Sequence, residues 1–193
     1  MKYIKHIDLP KRSHLTRKKF KYDKKATCEV HNKKDIGFKP QCSFWYGTNH
    51  EWIKFAGVGF GDYQDKTTKP KYPYIGYIYS VEIKDDNFTN IKNKDKNKIL
   101  VIDSDTDFKK FTQKYGVKMN YKSIIEPNTK YIILINWSKV AKDYGGIEMP
   151  NYFFKYDNNG KRNKKYMYWY TTWDVACGCV WNFSVIDKLK LHK

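Results

Sequence analysis

The stretch SKVAKDYGGIEMPNY, residues 138–152, is the part of the sequence around which the fold is organised. A near-continuous apolar run, residues 131–137, precedes it and is typical of a buried strand. Ser138 is a favourable helix N-cap, and the residues that follow it suffice for about two helical turns. Gly145 and Gly146 are expected to end that helix, because glycine accepts the positive φ that a C-cap needs.

Glu148 is the first candidate functional residue, because it is a carboxylate between apolar neighbours in a short extended piece that ends at Pro150. Carboxylates are rarely buried without a reason. Tyr144 and Tyr152 flank this piece, so their rings could wall a pocket. The alternative is that Glu148 is a half-exposed strand residue that points outward by simple alternation.

The length of 193 residues is sufficient for one domain with a substantial core, and residues 1–193 are predicted to form a single domain. An aromatic content of 18% argues against a disordered chain. The basic N-terminal segment 11–25 is expected to be a surface helix or a mobile arm, and residues 187–193 a short basic tail. Neither a transmembrane run nor a secretory signal is recognisable, which predicts a cytoplasmic location.

The formal net charge of +18 predicts attraction to nucleic acids or to other anionic surfaces. Nearly all of the excess comes from lysine. Arginine, the residue that most often reads bases and grips phosphates, is present only as Arg12, Arg17 and Arg162. Solubility and a compositional bias toward lysine explain the charge about as well as nucleic-acid binding does.

The four cysteines do not form a recognisable metal motif. They are Cys28, Cys42, Cys177 and Cys179, without any CxxC pair. A Cys-x-Cys pair on a strand points both side chains to one face, which is poor geometry for a simple zinc knuckle. Reduced structural thiols are therefore expected, and no metal site is predicted.

Apolar patterns and turn signals predict about seven short strands and two or three short helices. The strands are expected at residues 1–9, 43–46, 74–83, 99–102, 131–137, 152–156 and 166–183. Strands and helices do not alternate regularly, which disfavours a doubly wound sheet. The sequence therefore predicts an α+β domain with a bent, mainly antiparallel sheet.

The helix with the clearest pattern is expected at residues 107–115, with Thr106 as its cap. Phe108, Phe111 and Tyr115 should face inward, because they lie at helical spacing. The sequence on either side of this helix predicts its secondary structure less clearly. A short helix is also expected just after residue 49, and loops are expected at 85–98 and 117–128.

Several reaction classes lack their motifs. No serine or cysteine lies in a GxSxG context, and Walker and kinase motifs are missing. The GVGFG run lacks the strand–helix context of a dinucleotide fingerprint. A paired-carboxylate hydrolase would need two acids in one cleft, and Glu148 with Asp174 is the pair that could supply them. Asp174 is a second candidate also because it lies in a very apolar run.

Three short places in the chain resemble the ADP-ribosyltransferase superfamily. They are YIKHI near the start, GFKPQCSFWYG with EWIKF behind it, and YGGIEMPNY. In that family a small split sheet holds NAD in a cleft, with a His or Arg on the first strand, an aromatic or Ser/Tyr position on a middle strand and a Glu on a late strand. The resemblance implies NAD-binding roles for His6, Ser43, Trp45 and Tyr46, and a catalytic role for Glu148.

The resemblance implies an ADP-ribosyltransferase-like glycosyltransferase that uses NAD as its substrate. Position 146 is Gly, where many arginine-modifying members carry Gln or Glu, so the implied acceptor is a nucleic acid or another kind of protein site in the cytosol. The alternative from a different functional class is a non-catalytic, basic nucleic-acid-binding protein. That alternative rests on the net charge and on aromatic side chains that could stack with bases.

Overall fold

The structure is a computed structural model that describes residues 10–25, 35–55, 77–120, 131–153 and 165–192. Its strands are β1 (Arg12–Thr16), β2 (Ile36–Gly37), β3 (Phe44–Thr48), β4 (Tyr77–Glu82), β5 (Phe88–Thr89), β6 (Asp95–Val101), β7 (Gly116–Asn120), β8 (Tyr131–Asn136), β9 (Tyr144–Met149), β10 (Cys177–Val180) and β11 (Lys188–Leu191). Its α-helices are α1 (Glu51–Phe55), α2 (Asp105–Tyr115) and α3 (Trp137–Asp143). Short 3-10 helices cover Asp85–Asn87, Lys165–Thr172 and Phe183–Val185.

Eight strands form one curled sheet in the order β11-β4-β1-β3-β10-β9-β6-β5. Its pairs are antiparallel except β5 with β6 and β6 with β9. The strands β2, β8 and β7 form a second, three-stranded antiparallel sheet. The predicted α+β class, with a mainly antiparallel bent sheet and few helices, is confirmed.

The larger core lies between the two sheets and the helices and is dominated by indole rings. Four tryptophans have no more than 1% exposure: Trp137, Trp169, Trp173 and Trp181. Each buried indole N–H finds an oxygen acceptor, on Gly37, Thr112, Phe38 and Tyr144 respectively. These bonds offset the cost of burying polar atoms, so the aromatic-rich sequence yields a core that holds its rings in defined orientations.

The two faces of the large sheet carry different side chains. Trp45 packs against Trp173 in the larger core, and we call this side the Trp45 face. Tyr46, the next residue on β3, points to the opposite side, the Tyr46 face, because side chains alternate along a strand. A smaller apolar cluster covers the Tyr46 face and includes Phe44 and Val180.

Helix α2 confirms the predicted inward residues, since Phe108, Phe111 and Tyr115 are buried. It ends at Tyr115 as expected, but it begins at Asp105, and its N-cap is Ser104 rather than Thr106. The Ser104 side chain accepts a hydrogen bond from the backbone N–H of Asp107, which fixes the start of the helix two residues before the predicted one.

The prediction that Ser138 caps α3 and that two glycines end it is wrong. The cap is Asn136, whose side chain accepts from the N–H of Lys139. The helix ends at Asp143, and both glycines lie inside strand β9. Gly146 is needed there for packing, since a Cβ at that position would lie 2.6 Å from Val180 Cγ1 and 2.8 Å from the Cys179 carbonyl oxygen.

Two basic segments that were expected to be surface appendages take part in the sheet. Residues 12–16 of the predicted helix or arm form β1, between β3 and β4. The predicted tail contains β11, which pairs with β4. Inward residues hide in these lysine-rich stretches: Ser13 is fully buried, and Leu189 packs against the smaller cluster. The basic composition of these segments did not indicate the strands, because the strands they pair with are distant in the sequence.

The aromatic segment 166–183 was predicted as strand, and only its second part is strand. Lys165–Thr172 forms a 3-10 helix, followed by β10. Trp169 in this helix and Trp173 just after it are both fully buried in the larger core. The loops predicted at 85–98 and 117–128 are wrong in part, since β5, most of β7 and the start of β6 lie within them.

Two predicted strands fall outside the described residues. The strand at 1–9 lies there completely, and the strand at 152–156 lies there from residue 154 onward. Residues 57–73 and 157–164 are also outside that part of the chain. Within the described ranges, every helix is too short or too polar to pass through a lipid bilayer.

Candidate functional site

Glu148 is buried on the Tyr46 face of the large sheet, with a side chain that is 4% exposed. The register of β3, β10 and β9 places Tyr46, Gly178 and Glu148 in one row across three neighbouring strands. Residues directly opposite one another on paired strands point to the same face. The alternative of a half-exposed Glu148 that points outward is therefore wrong, and the carboxylate is an internal group.

Both oxygens of the Glu148 carboxylate are occupied by hydrogen-bond donors. Arg12 on β1 donates from Nε to Oε2 at 2.6 Å and from Nη2 to Oε1 at 3.0 Å. The Tyr46 hydroxyl donates to Oε2 at 2.8 Å. A forked guanidinium contact of this kind is among the strongest polar contacts in proteins. It compensates for much of the cost of placing a carboxylate inside the sheet.

Gly178 makes the contact between Tyr46 and Glu148 possible. It is the residue on β10 that separates them, and a Cβ there would lie 2.5 Å from the Tyr46 hydroxyl oxygen. The Tyr46 ring therefore lies over the bare backbone of Gly178 and reaches the next strand. A glycine at this position is required by the site geometry.

Burial and the ion pair change the protonation chemistry of the site. Burial by itself lowers the pKa of Arg12, but the hydrogen bond and negative charge of Glu148 outweigh it, so the pKa is raised. Burial also raises the pKa of Tyr46 well above its ordinary value, and the nearby negative charge of Glu148 adds to this shift. Arg12 is thus held positive and Tyr46 neutral over the physiological range.

Arg12 connects this site to the far edge of the sheet. Its guanidinium carbon lies 4.6 Å from the centre of the Phe88 ring on β5, in a cation–π contact. Strands β1 and β5 are not neighbours, so the sheet must curl toward the Tyr46 face to bring them together. The Arg12 side chain retains 12% exposure, which makes it the more accessible partner of the ion pair.

Thr48 adds an unsatisfied polar group beside Arg12. The two residues are register partners on β3 and β1, so they share the Tyr46 face. Thr48 is 2% exposed, and its hydroxyl has no hydrogen-bond partner among the residues that the structure describes. Buried hydroxyls usually have partners, so this group is suited to a water or to a ligand atom.

The structure joins Tyr46 and Glu148, and it separates them from two other predicted site residues. Trp45 lies on the opposite face, where it contacts Trp173 and carries Lys39 above its ring. Ser43 lies just before β3, and its buried hydroxyl has no hydrogen-bond partner in the described ranges. His6 lies outside the described residues.

Arg12 is the site residue that the sequence did not single out. The resemblance asked for a His or Arg on the first strand, and His6 was the choice. The first strand of the described chain is β1, and it supplies Arg12 instead. The available signal was the rarity of arginine, since one of only three arginines stands at the start of an RSHLT segment with alternating side chains.

Asp174 does not form a catalytic pair with Glu148. Its side chain is 53% exposed and pairs with Lys39 at 3.7 Å. Lys39 in turn lies over Trp45, so Asp174 belongs to the Trp45 face while Glu148 belongs to the Tyr46 face. The two acids are on opposite sides of the sheet, and the paired-carboxylate hydrolase interpretation is wrong.

The expected tyrosine walls around Glu148 are also wrong. Tyr144 belongs to the larger core, and its hydroxyl donates to the Ile91 carbonyl oxygen. Tyr152 is 37% exposed and packs near Tyr170. The groups that surround the carboxylate come instead from β1 and β3, because sheet register brings distant residues closer than neighbours in sequence.

The cysteine pair on β10 points to one face, as predicted. Cys177 and Cys179 are both buried, and their register partners place them on the Trp45 face. Burial raises the pKa of the Cys177 thiol to about 12, so this group stays protonated at neutral pH. In the described part of the chain, no three His, Cys, Asp or Glu side chains are arranged to hold a metal ion.

Comparisons with family models, with curated proteins and with solved structures gave no match to this chain.

Proposed function

We propose that the protein is an ADP-ribosyltransferase-like enzyme that uses NAD as its substrate, with Glu148 as the catalytic carboxylate. One observation carries the proposal. Arg12, Tyr46 and Glu148 come from a first, a middle and a late strand and meet at one buried carboxylate. These are the strand positions at which the resemblance places an Arg or His, a Tyr or Ser, and a Glu.

The proposed chemistry fits a carboxylate in this position. Breaking the bond between nicotinamide and ribose releases neutral nicotinamide and builds positive charge on the sugar. An ionised Glu148 stabilises that charge in the transition state more than in the ground state. An acceptor oxygen or nitrogen then bonds to the sugar carbon and gives up its proton. The proposed acceptors are a nucleic acid or a protein.

The ion pair implies a conformational step, because Arg12 and Tyr46 occupy both carboxylate oxygens. For Glu148 to contact ribose, Arg12 must leave it when NAD binds. Arg12 is the partner with greater exposure, and its guanidinium then suits the pyrophosphate of NAD. The resting site is thus a closed form, and in the proposed NAD-bound form the substrate's phosphates replace the carboxylate as the partner of Arg12.

The test is direct measurement of nicotinamide release by the wild type and by Glu148→Gln, each with and without RNA, DNA and cell lysate. We expect Glu148→Gln to slow release by about 100-fold or more, as for loss of one transition-state contact. Glu82→Gln is the matched control, since Glu82 is an exposed carboxylate on β4. Equal release by a folded Glu148→Gln variant, or none by the wild type under any condition, would contradict the proposal.

We infer a second candidate function, binding of nucleic acid without catalysis, from the net charge of +18. This second function gives Glu148 no part in binding, and its ion pair with Arg12 would then only support the fold. Binding should weaken steeply as salt rises, because cations released from the phosphate backbone drive such association. Affinity that stays constant from about 50 to about 200 mM salt would contradict this function.

A further inference from the structure

Three lysines lie close together at the junction of β6, α2 and α3, and two of them pair with one carboxylate. Asp143, at the end of α3, accepts a hydrogen bond from the Tyr115 hydroxyl at 2.6 Å. Lys94 Nζ lies 3.0 Å from the Asp143 carboxylate, and Lys114 Nζ lies 3.6 Å from it. Lys139 Nζ donates to the Lys114 carbonyl oxygen at 3.3 Å, which places a third ammonium group on the same patch.

The cluster holds more positive charge than its own carboxylate neutralises. Two of the three ammonium groups lie against Asp143 and the third lies against the Lys114 backbone, so two positive charges remain uncompensated within the cluster. Burial lowers the pKa of Lys114, and repulsion from Lys94 and Lys139 lowers it further. The attraction of Asp143 raises this pKa, but it does not cancel the other effects. An added anion would relieve this repulsion.

Each of the three lysines makes a contact with the fold. Lys114 Nζ lies 4.8 Å from the centre of the Tyr115 ring and 5.7 Å from that of Tyr144, and both rings are buried. Lys94 precedes β6, Lys114 lies in the last turn of α2, and Lys139 lies in the first turn of α3. Three separate elements thus present their charges together, which lowers the ordering cost of binding an anion.

We propose that the cluster of Lys94, Lys114 and Lys139 is a docking point for the phosphodiester backbone of a nucleic acid. This inference rests on the second candidate function and gives it a location. Lysine contacts phosphate as a point charge, and the nearby Tyr115 and Tyr144 are buried, so the contact should not depend on base sequence.

Nucleic acid is favoured over a membrane surface by what surrounds the cluster. Interfacial membrane binding needs large apolar side chains beside the basic ones. Among the described residues, the exposed large hydrophobic side chains are Met119, Tyr152 and Leu191, and none of them belongs to the cluster. The patch therefore presents charge without an apolar anchor.

The test measures binding of labelled oligo(dT) to the full chain over a range of salt concentrations, without NAD. The triple variant Lys94→Gln, Lys114→Gln and Lys139→Gln should bind about 10- to 100-fold more weakly near 0.1 M salt. The slope of its log affinity against log salt concentration should be shallower by about 2, because each lost phosphate contact removes about 0.7 from the slope. The matched control replaces Lys84, Lys188 and Lys190, which lie at β4 and β11, with Gln and should keep the slope.

A single variant tests the same patch in the opposite direction. Asp143→Asn removes the negative charge and leaves an amide oxygen to accept from Tyr115, so binding should become roughly threefold tighter or more. If the triple lysine variant does not fold, the Asp143→Asn measurement still tests the proposal.

Three outcomes would overturn the inference, and they are distinguishable. Equal losses in the cluster and control variants would show that charge acts diffusely, while nucleic-acid binding itself would stand. No salt-dependent binding of oligo(dT) by the wild type would reject the function together with its location. Cluster-dependent binding to phosphatidylserine vesicles without binding to oligo(dT) would assign the patch to a membrane and also overturn the proposal.

Discussion

Gly178 lies directly against the aromatic ring of Tyr46, so that a methyl group at position 178 would come 2.5 Å from the Tyr46 hydroxyl oxygen. We expect Gly178→Ala to destabilise the protein by about 1–3 kcal/mol, because the fully buried ring has no room to move aside. Urea unfolding measures the change. Gly37→Ala is the control, since its nearest atom would be the Lys39 carbonyl oxygen at an ordinary 3.5 Å. Equal stability of both variants would contradict the packing argument.

Removing Glu148 alone should cost more stability than removing the whole polar group. Glu148→Leu leaves the Arg12 charge inside the sheet without its partner, and we expect a loss of about 3 kcal/mol. The apolar triple variant Arg12→Met, Tyr46→Phe and Glu148→Leu should recover most of that loss, because it leaves none of these three buried side chains as a polar group without a partner. Chemical denaturation of both variants checks this. A triple variant less stable than the single one would show that the pair stabilises the fold.

Tyr46→Phe isolates the contribution of one hydrogen bond at 2.8 Å to a charged acceptor. The ring and its packing on Gly178 are retained, so the expected cost is about 2 kcal/mol. The proposed reaction should slow less than in Glu148→Gln, since the carboxylate remains. Unfolding and nicotinamide release are measured on the same preparations, and a larger catalytic loss than that of Glu148→Gln would contradict the assigned roles.

High pH should unfold the protein through its buried tyrosines. Burial raises the pKa of Tyr46 well above 10 and the pKa of Tyr22 to about 12. In the unfolded chain these groups ionise near pH 10, while the native state keeps their protons. The native state then binds more protons, so stability is retained below about pH 10 and falls above it. Tyr46→Phe should reduce this fall in unfolding experiments at pH 9–12, and an unchanged profile would refute the assignment.

Mild acid should destabilise the protein through His14. Burial lowers its pKa, against a hydrogen bond between Nδ1 and the Trp45 carbonyl oxygen at 2.7 Å, and its ring lies 4.2 Å from that of Phe44. The unfolded chain takes up a proton near pH 6.5 that the folded state resists. Stability is therefore present above about pH 6.5 and falls below it. His14→Phe should flatten the profile between pH 5 and 7, and a fall in stability that is the same in this variant would contradict the role of His14.

The sequence predicted the structure correctly where the local pattern of apolar residues matched their environment in the fold. The strand at β4 and the inward residues of α2 were predicted correctly, because the local sequence pattern of each element matches its place in the fold. Glu148 stood out for the same reason, as a carboxylate inside an apolar strand. Its chemical surroundings were not predictable, because the donors come from β1 and β3, more than 100 positions away.

Arg12 shows why the first part of the site was missed. The residues around β1 are mainly lysine and arginine, and such a run usually indicates a solvated segment. Pairing with β3 and β4 turns it into an internal strand, and no local property of the sequence encodes that pairing. Sheet register decides burial there, and register depends on strands that are distant in sequence.

The position of β10 between β3 and β9 has a consequence for synthesis of the protein. Tyr46 and Glu148 are both translated before β10, yet they become neighbours only when residues 177–180 enter the sheet between their strands. A ribosome-bound chain that ends before this strand carries Arg12, Tyr46 and Glu148 without the strand that brings them together. The site is therefore expected to assemble only after β10 has entered the sheet.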